Sequence, residues 1–314
     1  MKSIAINKKK KIKATKARLS PLTIFMLIVL IIYTLSLFGL MLYGLMTAFK
    51  CGMVGTLEYR LEYMPGNPYG LPKTWYWNFS FVIKNFIVQA TDPMGISPAV
   101  KVGIVKMFGN SILYSLGCSF FHTFVMCTTA YCCARFPYRY SKIIHTIVIV
   151  VMIIPIVGNA PSELSMAIRL GIYNKIWGMW IMRANFLGMY FLVFYDIFKA
   201  VPASYTEAAK IDGANNWSIF FRIILPLVKN TFLTVLLINF IQMWNDYQIP
   251  MLYLPSFPTV AYGLFGAVNS TVKGLETTPM RLAAAIIMLL PILVVFICTQ
   301  KRLLGNLTMG GVKG

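Results

Sequence analysis

The sequence predicts an all-α membrane protein with six transmembrane helices and both the N and C termini on the cytoplasmic side. Three observations carry that expectation. Charged residues make up only 12% of the 314 residues and hydrophobic ones 58%, with a mean hydropathy of +0.70. A soluble domain carries about 25% charged residues, so a chain this poor in charge cannot cover a water-facing surface. Six segments, 22–48, 109–134, 143–161, 178–199, 230–248 and 282–300, approach the ~20 mostly apolar residues that a helical span needs. Finally, Lys and Arg collect in the N-terminal tail and in the loops that six spans would place inside.

The first element, residues 1–20, is a basic tail containing KKKKIKATKAR. It could open a signal peptide, but the apolar run from Leu22 to Ala48 is too long for a signal core and no A-x-A site follows it. Residues 21–48 therefore read as a retained first span. The loop 49–108 lies outside, and Pro65, Gly66, Pro68, Gly70 and Pro72 mark turns in it. Its stretch TWYWNFSFVIKNFI is amphipathic and aromatic. It fits either an interfacial helix packed on the bundle or a docking surface for an external partner.

Residues 109–300 form a five-span core. Arg135, Arg139 and Lys142 follow span two, and Lys199, Lys210, Arg222 and Lys229 follow span four. Lys301, Arg302 and Lys313 lie in the tail 301–314. All of these point inward, toward the anionic leaflet. Trp75, Trp77 and Trp177 near span ends suit interfacial belts. Pro155 in span three and Pro291 in span six are expected to kink their helices, with neighbouring helices satisfying the freed carbonyls.

Several functional classes are excluded. The net charge is +20, from 29 Lys+Arg against 9 Asp+Glu, yet there is no aromatic-basic platform or DNA-reading motif, so no nucleic-acid partner is expected. Of the six cysteines, Cys51, Cys118, Cys127, Cys132, Cys133 and Cys298, none forms a CxxC pair. They read as small buried apolar residues, and with His122 and His145 also in apolar runs no metal site is expected. No Ser/His/Asp constellation or carboxylate pair marks a catalytic site. No G-x-x-x-x-G-K-[ST] loop is present, so the chain is not expected to bind ATP by that route.

The most informative segment is the loop 201–229. Pro202 ends span four, and Ser204 with Glu207 has the S-x-x-E spacing of a capping box, which predicts a helix start at Ser204. Ala208 and Ala209 give that helix a face that another backbone can approach closely. Gly213 suits the left-handed position that stops a helix. A second short helix is expected through Trp217–Ile224, and Leu225-Pro226 restarts the chain into span five. The result is a short, small-faced helix held between two spans, able either to transmit force from a soluble partner or simply to lie on the membrane.

At this point the sequence resembles a family. Glu207-Ala208-Ala209, then Gly213, then Ile223-x-Leu225-Pro226 is similar to the EAA loop of permease subunits in bacterial binding-protein-dependent ABC importers. Asp212 completes EAAKIDGA, as in carbohydrate permeases. Trp244-Asn245-Asp246-Tyr247 with Pro250 resembles the W-N-D/E-F/Y segment of that group. Asn110-Ser111, Ala130-Tyr131 and Ala134-Arg135-Phe136 resemble its second span. The end GNLTMGGVKG, Gly305 to Gly314, looks like the tail of the maltose-permease G-type subunit, with Asn306 inserted and Gly311 in place of alanine. The likeness covers residues 100–314; residues 1–20 and 49–100 match poorly.

The resemblance implies a type I ABC importer permease fold in the bacterial cytoplasmic membrane, surrounded by membrane lipid. It implies a second permease subunit, two ATPase subunits and an extracytoplasmic sugar-binding protein as partners, and no cofactor. It makes Glu207, Ala208, Ala209, Asp212, Gly213, Leu225 and Pro226 the ATPase-coupling residues. Gly310, Gly311, Lys313 and Gly314 would contact the ATPase, where composition alone reads only a flexible basic end. Trp244, Asn245, Asp246 and Tyr247 are candidates for the pathway or gate. A charge at the bilayer centre costs at least ~2.5–3.5 kcal/mol, so Asp246 is either a gate residue or an interfacial carboxylate bonded to a neighbouring helix. Arg183 is expected to snorkel to the interface. An ABC permease for a non-sugar solute, and a stand-alone secondary transporter or channel, are the alternatives. The second of these would need intramembrane acidic relays, and beyond Asp246 the spans offer almost none.

Overall fold

The structure, a computed structural model, describes residues 20–52, 70–72, 75–92, 94–136, 138–154, 158–269, 275 and 277–307. Helix α1 (Pro21–Ala48) starts where the sequence places it: Ser20 caps it by accepting from the Thr23 N–H, and Pro21 occupies the first turn. Almost every side chain along α1 is exposed and apolar, as for a helix whose solvent is hydrocarbon. Its free end is closed by Asn78, whose Nδ2 donates to the carbonyls of Ala48 and Lys50 at 2.7 Å each.

Asn78 opens α2 (Asn78–Asn85), the helical part of the aromatic stretch. At Ile87 a short hairpin interrupts the otherwise helical chain that the sequence predicts. Strands β1 (Ile87–Ala90) and β2 (Val100–Gly103) pair antiparallel, with Val88 opposite Val102. Both valines are buried, and β-branched residues packed across a pair are what favours a strand here. Then α3 (Ile104–Arg135) runs unbroken for 32 residues, starting earlier than the expected span at 109.

The expected third and fourth spans are each interrupted. Helix α4 (Arg139–Ile153) stops short, and α5 (Ala160–Arg169) begins after a break. Pro155 lies outside the described residues, but Ile154 before it is extended at φ −87°, ψ 114°, as clash with a following proline requires. Proline therefore ends this helix where a kink was expected. Helices α6 (Ile176–Arg183) and α7 (Met189–Ala200) replace the continuous span 178–199, separated by an unwound stretch that ends at Gly188, φ 146°.

After α8 (Ser204–Ile211) and α9 (Asn216–Leu227), α10 (Lys229–Asn245) crosses back along α3. Helices α11 (Gln248–Tyr253) and α12 (Val260–Asn269) lead to α13 (Thr278–Leu307), which continues through Pro291. Among the described residues, Pro21–Ala48, Ile104–Arg135 and Thr278–Gln300 are long and apolar enough to cross a membrane. Asn216–Leu227 with Lys229–Asn245, bent by 78°, adds a fourth when the pair is taken as one span.

Helix α3 is the central post. At its C-terminal end Met126, Cys127 and Tyr131 share one core with α7, α8, α9 and α10. Its first turn packs with β1, β2, α12 and α13 in a second. Beyond that end three loops are tied together. Asp92 Oδ1 accepts from Tyr173 Oη at 2.7 Å and from the Met94 N–H, and its Oδ2 accepts from the Ser97 N–H. Asn174 donates from Nδ2 to Ser97 Oγ and Ser256 Oγ, and accepts from the Ser256 N–H.

Burial raises the Asp92 pKa, but the hydrogen bonds from Tyr173, Met94 and Ser97 outweigh it and hold the carboxyl below 3.8, its ordinary value. The stabilisation from Asp92 is therefore fully present above 3.8 and is lost as pH falls through the lower folded value. Thermal unfolding in lipid nanodiscs, followed against pH, should show a constant margin of wild type over Asp92→Asn from pH ~7 down to ~5, narrowing only in stronger acid.

Candidate functional site

The loop 201–229 is built from two short helices fixed to the core. Helix α8 begins at Ser204, as expected, but with Ser204 as its first helical residue and not as its cap: Ala203 before it already has helical dihedrals, φ −62°, ψ −28°. Ser204 therefore sits inside the first turn and cannot serve as an N-cap, a role that needs an extended backbone. The capping box with Glu207 does not form. Ala203 instead supplies the carbonyl that accepts from the N–H groups of Thr206 and Glu207 and from Thr206 Oγ1.

Only Ala209 of α8 is buried, at 6% exposure, in the core that holds Tyr131 and Phe220. Glu207, Ala208 and Asp212 are exposed, Ile211 is 86% exposed and Tyr205 49%. A methyl side chain at 209 lets the α8 backbone lie close against the core while the opposite face stays open. The helix is stopped by Gly213 at φ 77°. The Ala214 N–H donates to Ala209 O at 2.9 Å and the Gly213 N–H to Lys210 O at 3.0 Å. These two bonds form a Schellman motif.

Helix α9 is capped by Asn215, whose Oδ1 accepts from the Ser218 N–H at 2.8 Å. An Asn just before a short apolar run is a readable cap signal, and sequence reasoning passed over it. The middle of α9, Ile219–Ile224, is π-helical, and the Leu225 N–H reaches back five residues to Phe220 O. Pro226 lies immediately beyond. It has no N–H, and its ring crowds the carbonyl four residues back. Leu225 is half-buried and Pro226 exposed. The chain then turns at the buried Val228, φ −99°, ψ 7°, into α10.

The residues 244–247 form a separate corner. Trp244 is buried between Phe108 and Phe240, with its indole N–H unpartnered. Asn245 faces a cleft between α1, α10 and α13. Asp246 accepts from Tyr114 Oη at 3.1 Å through Oδ2 and from the Ile249 N–H at 3.1 Å through Oδ1. Tyr247 stacks on Phe265, with ring centroids 4.2 Å apart. The partner Tyr114, on α3, carries no sequence signal that singles it out. Arg183 is half-buried at the end of α6, and its carbonyl accepts from His122 Nδ1 at 3.0 Å. Gly310, Gly311, Lys313 and Gly314 lie outside the described residues. Among the described residues no cluster of His, Cys, Asp and Glu fit to hold a metal ion occurs.

The described residues thus form a helical bundle with long apolar helices and an ordered two-helix loop between α7 and α10. The family model for the binding-protein-dependent transport system inner membrane component matches residues 126–303, and the chain belongs to that family. It is 28% identical over 216 residues to the melibiose/raffinose/stachyose import permease protein MelC of Bacillus subtilis, covering 64% of this chain and 77% of that one. It is 30% identical over 213 residues to the galactooligosaccharides transport system permease protein GanQ of the same organism, covering 67% and 75%. The fold matches a chain in the crystal structure of a bacterial ABC transporter involved in the import of the acidic polysaccharide alginate. There the TM-score is 0.66 and the identity 21%, over 89% of this chain and 95% of the other. The architecture is thus the ABC importer permease fold, and the protein is a membrane component of a binding-protein-dependent transport system.

At Gly213 a Cβ would meet nothing within 4 Å, so substitution costs only the left-handed backbone, ~1–2 kcal/mol for an ordinary residue. Gly213→Asn, which tolerates that conformation, should leave the thermal stability of the purified complex near wild type, while Gly213→Val should lower it. Equal midpoints for the two variants would remove the backbone argument.

Proposed function

We propose that this chain is one of two permease subunits of an ATP-driven importer for an oligosaccharide, forming half of the translocation pathway. The observation that carries the reading is the geometry of α8: one buried methyl, a Schellman stop, and an open outer face carrying Glu207, Ala208, Ile211 and Asp212. Such a helix is too short to be stable alone, so its order comes from the core that grips Ala209 and from the hydrogen bonds that close its two ends. A partner pressing on its outer face moves it as a solid element. The chain has no phosphate-binding loop of its own, so the pressing partner is read as a separate ATPase dimer, with Leu225 and Pro226 setting the exit of the loop.

In this reading both termini and the loop 201–229 are cytoplasmic, and the broken helices α4 to α7 complete a six-pass bundle. An extracytoplasmic binding protein delivers the solute on the opposite side. The named relatives are an import permease for melibiose, raffinose and stachyose and a transport system permease for galactooligosaccharides, which supports a carbohydrate of that size. The corner Trp244–Tyr247 is the candidate gate, with Asp246 held by Tyr114. The tail Gly310, Gly311, Lys313 and Gly314 reaches the ATPase.

Proteoliposomes holding this chain with its second permease, ATPase and binding protein should accumulate raffinose, galactobiose or maltotriose only when ATP is supplied. Gly213→Asp should hydrolyse ATP without uptake. Accumulation without the ATPase, driven by an ion gradient, would overturn the reading. Removing Met309–Gly314 should slow ATP turnover in the same vesicles, and undiminished turnover would take the tail out of the contact.

A further inference from the structure

The loop 201–229 joins α7 to α10, yet the side chains that fasten its entrance belong to α3. Arg135, in the last turn of α3, donates from Nη2 to the carbonyl of Val201 at 2.6 Å. Val201 closes α7 and precedes Pro202, which holds it extended at φ −68°, ψ 126°. Proline offers no N–H, so the helix end is left with carbonyls that lack helical partners. A guanidinium suits that place: it is always charged, and a cation is favoured at a helix C-terminus. The Nε of Arg135 is buried without a partner, so the side chain is held there at a cost.

Four residues earlier on the same face of α3, Tyr131 packs against Phe198 of α7, with ring centroids 5.4 Å apart, and Phe220 of α9, at 4.8 Å. Ala209 of α8 sits in the same core. The far side of the loop is built differently. There the chain leaves through Val228, the break at which α9 and α10 meet at 78°. The loop is thus bracketed by α3 at its entrance and bends at its exit.

We propose that Arg135 is the positioning residue that locks the entrance of α8 to α3, so that displacement of α8 is delivered to α3 instead of being absorbed at the Val201–Pro202 joint. This rests on the reading of α8 as the element on which the ATPase acts.

The test uses the full complex of this chain with its second permease, ATPase and binding protein. Hydrogen exchange is read without nucleotide and after trapping with ATP and vanadate. Without nucleotide, Arg135→Met should speed exchange of the amides in 204–214 by roughly tenfold, the loss of one hydrogen bond to a charged group, while 229–245 stays unchanged. Arg135→Lys, which keeps a donor, should restore much of the protection. On trapping, exchange in the C-terminal half of α3 should change in wild type and in Arg135→Lys but not in Arg135→Met.

Unaltered exchange in 204–214 of Arg135→Met overturns the lock, as does faster exchange spread over all helices. A wild-type α3 response that persists in Arg135→Met also overturns it. The underlying reading fails separately: in that case neither α8 nor α3 of the wild type responds to trapping, and Gly213→Asp transports normally.

Discussion

The constraint that organises this structure is the need of every buried backbone group for a partner where no water reaches. Inside a bilayer an unsatisfied N–H or C=O costs several kcal/mol, and an uninterrupted helix is the cheapest answer. Helices α1, α3 and α13 take that answer. The other helices are interrupted or short, and side chains meet many of their open backbone groups. Asn78 serves the end of α1, His122 the carbonyl of Arg183 before the α6–α7 break, and Arg135 the end of α7. Asn110 donates to Pro258 O, and Ser111 Oγ accepts from the Val260 N–H at the start of α12. Four of these five side chains lie on α3, which therefore works as a straight post that also completes the hydrogen bonding of its broken neighbours.

This division explains what the sequence made legible. Length and apolarity identify α1, α3 and α13, because continuous helices obey a composition rule. The same rule reads 143–161 and 178–199 as continuous spans, because an apolar window carries no record of where the backbone unwinds. The break after Ile153 was readable in principle, since Pro155 restricts the residue before it. The break before Gly188 has one local cue, the glycine itself at φ 146°, while the His122 side chain that meets the Arg183 carbonyl comes from far away in sequence. The hairpin Ile87–Gly103 was missed for a related reason: its stability lies in the Val88–Val102 pair, which exists only once the strands meet. In the loop, Gly213 was legible because a positive φ has few tenants. The Ser204–Glu207 box failed because Ala203, one residue earlier, already adopts the helical backbone.

The short helix α8 shows how little apolar burial is needed to hold a mechanically useful element. Eight residues bury one methyl group, worth on the order of 1 kcal/mol. That alone cannot order a helix this short. The remainder comes from both ends: the turn built on Ala203 at one and the double bond closed by Gly213 at the other. Stability supplied at the ends leaves the outward face free of structural duty. Ile211 can then be 86% exposed without weakening the helix, a surface that a partner can cover.

Rigidity is also unevenly placed along the path out of the loop. The π-helical turn Ile219–Ile224 and the bend at Val228 lie in series between α8 and α10. A π-turn has one extra residue per ring compared with the α-helix on either side, and such turns gather at functional sites. On the α3 side the contacts are the hydrogen bond from Arg135 and the ring of Tyr131, packed on Phe198 of α7 and on Phe220 within the π-turn itself. The entrance of the loop is thus bonded directly to α3, whereas its path to α10 runs through a π-turn and a bend. The helix that carries the corner Trp244–Tyr247 is itself held to α3, where Asn239 Nδ2 donates to Thr123 Oγ1 at 2.9 Å, so α3 is the element to which both ends of the loop are tied.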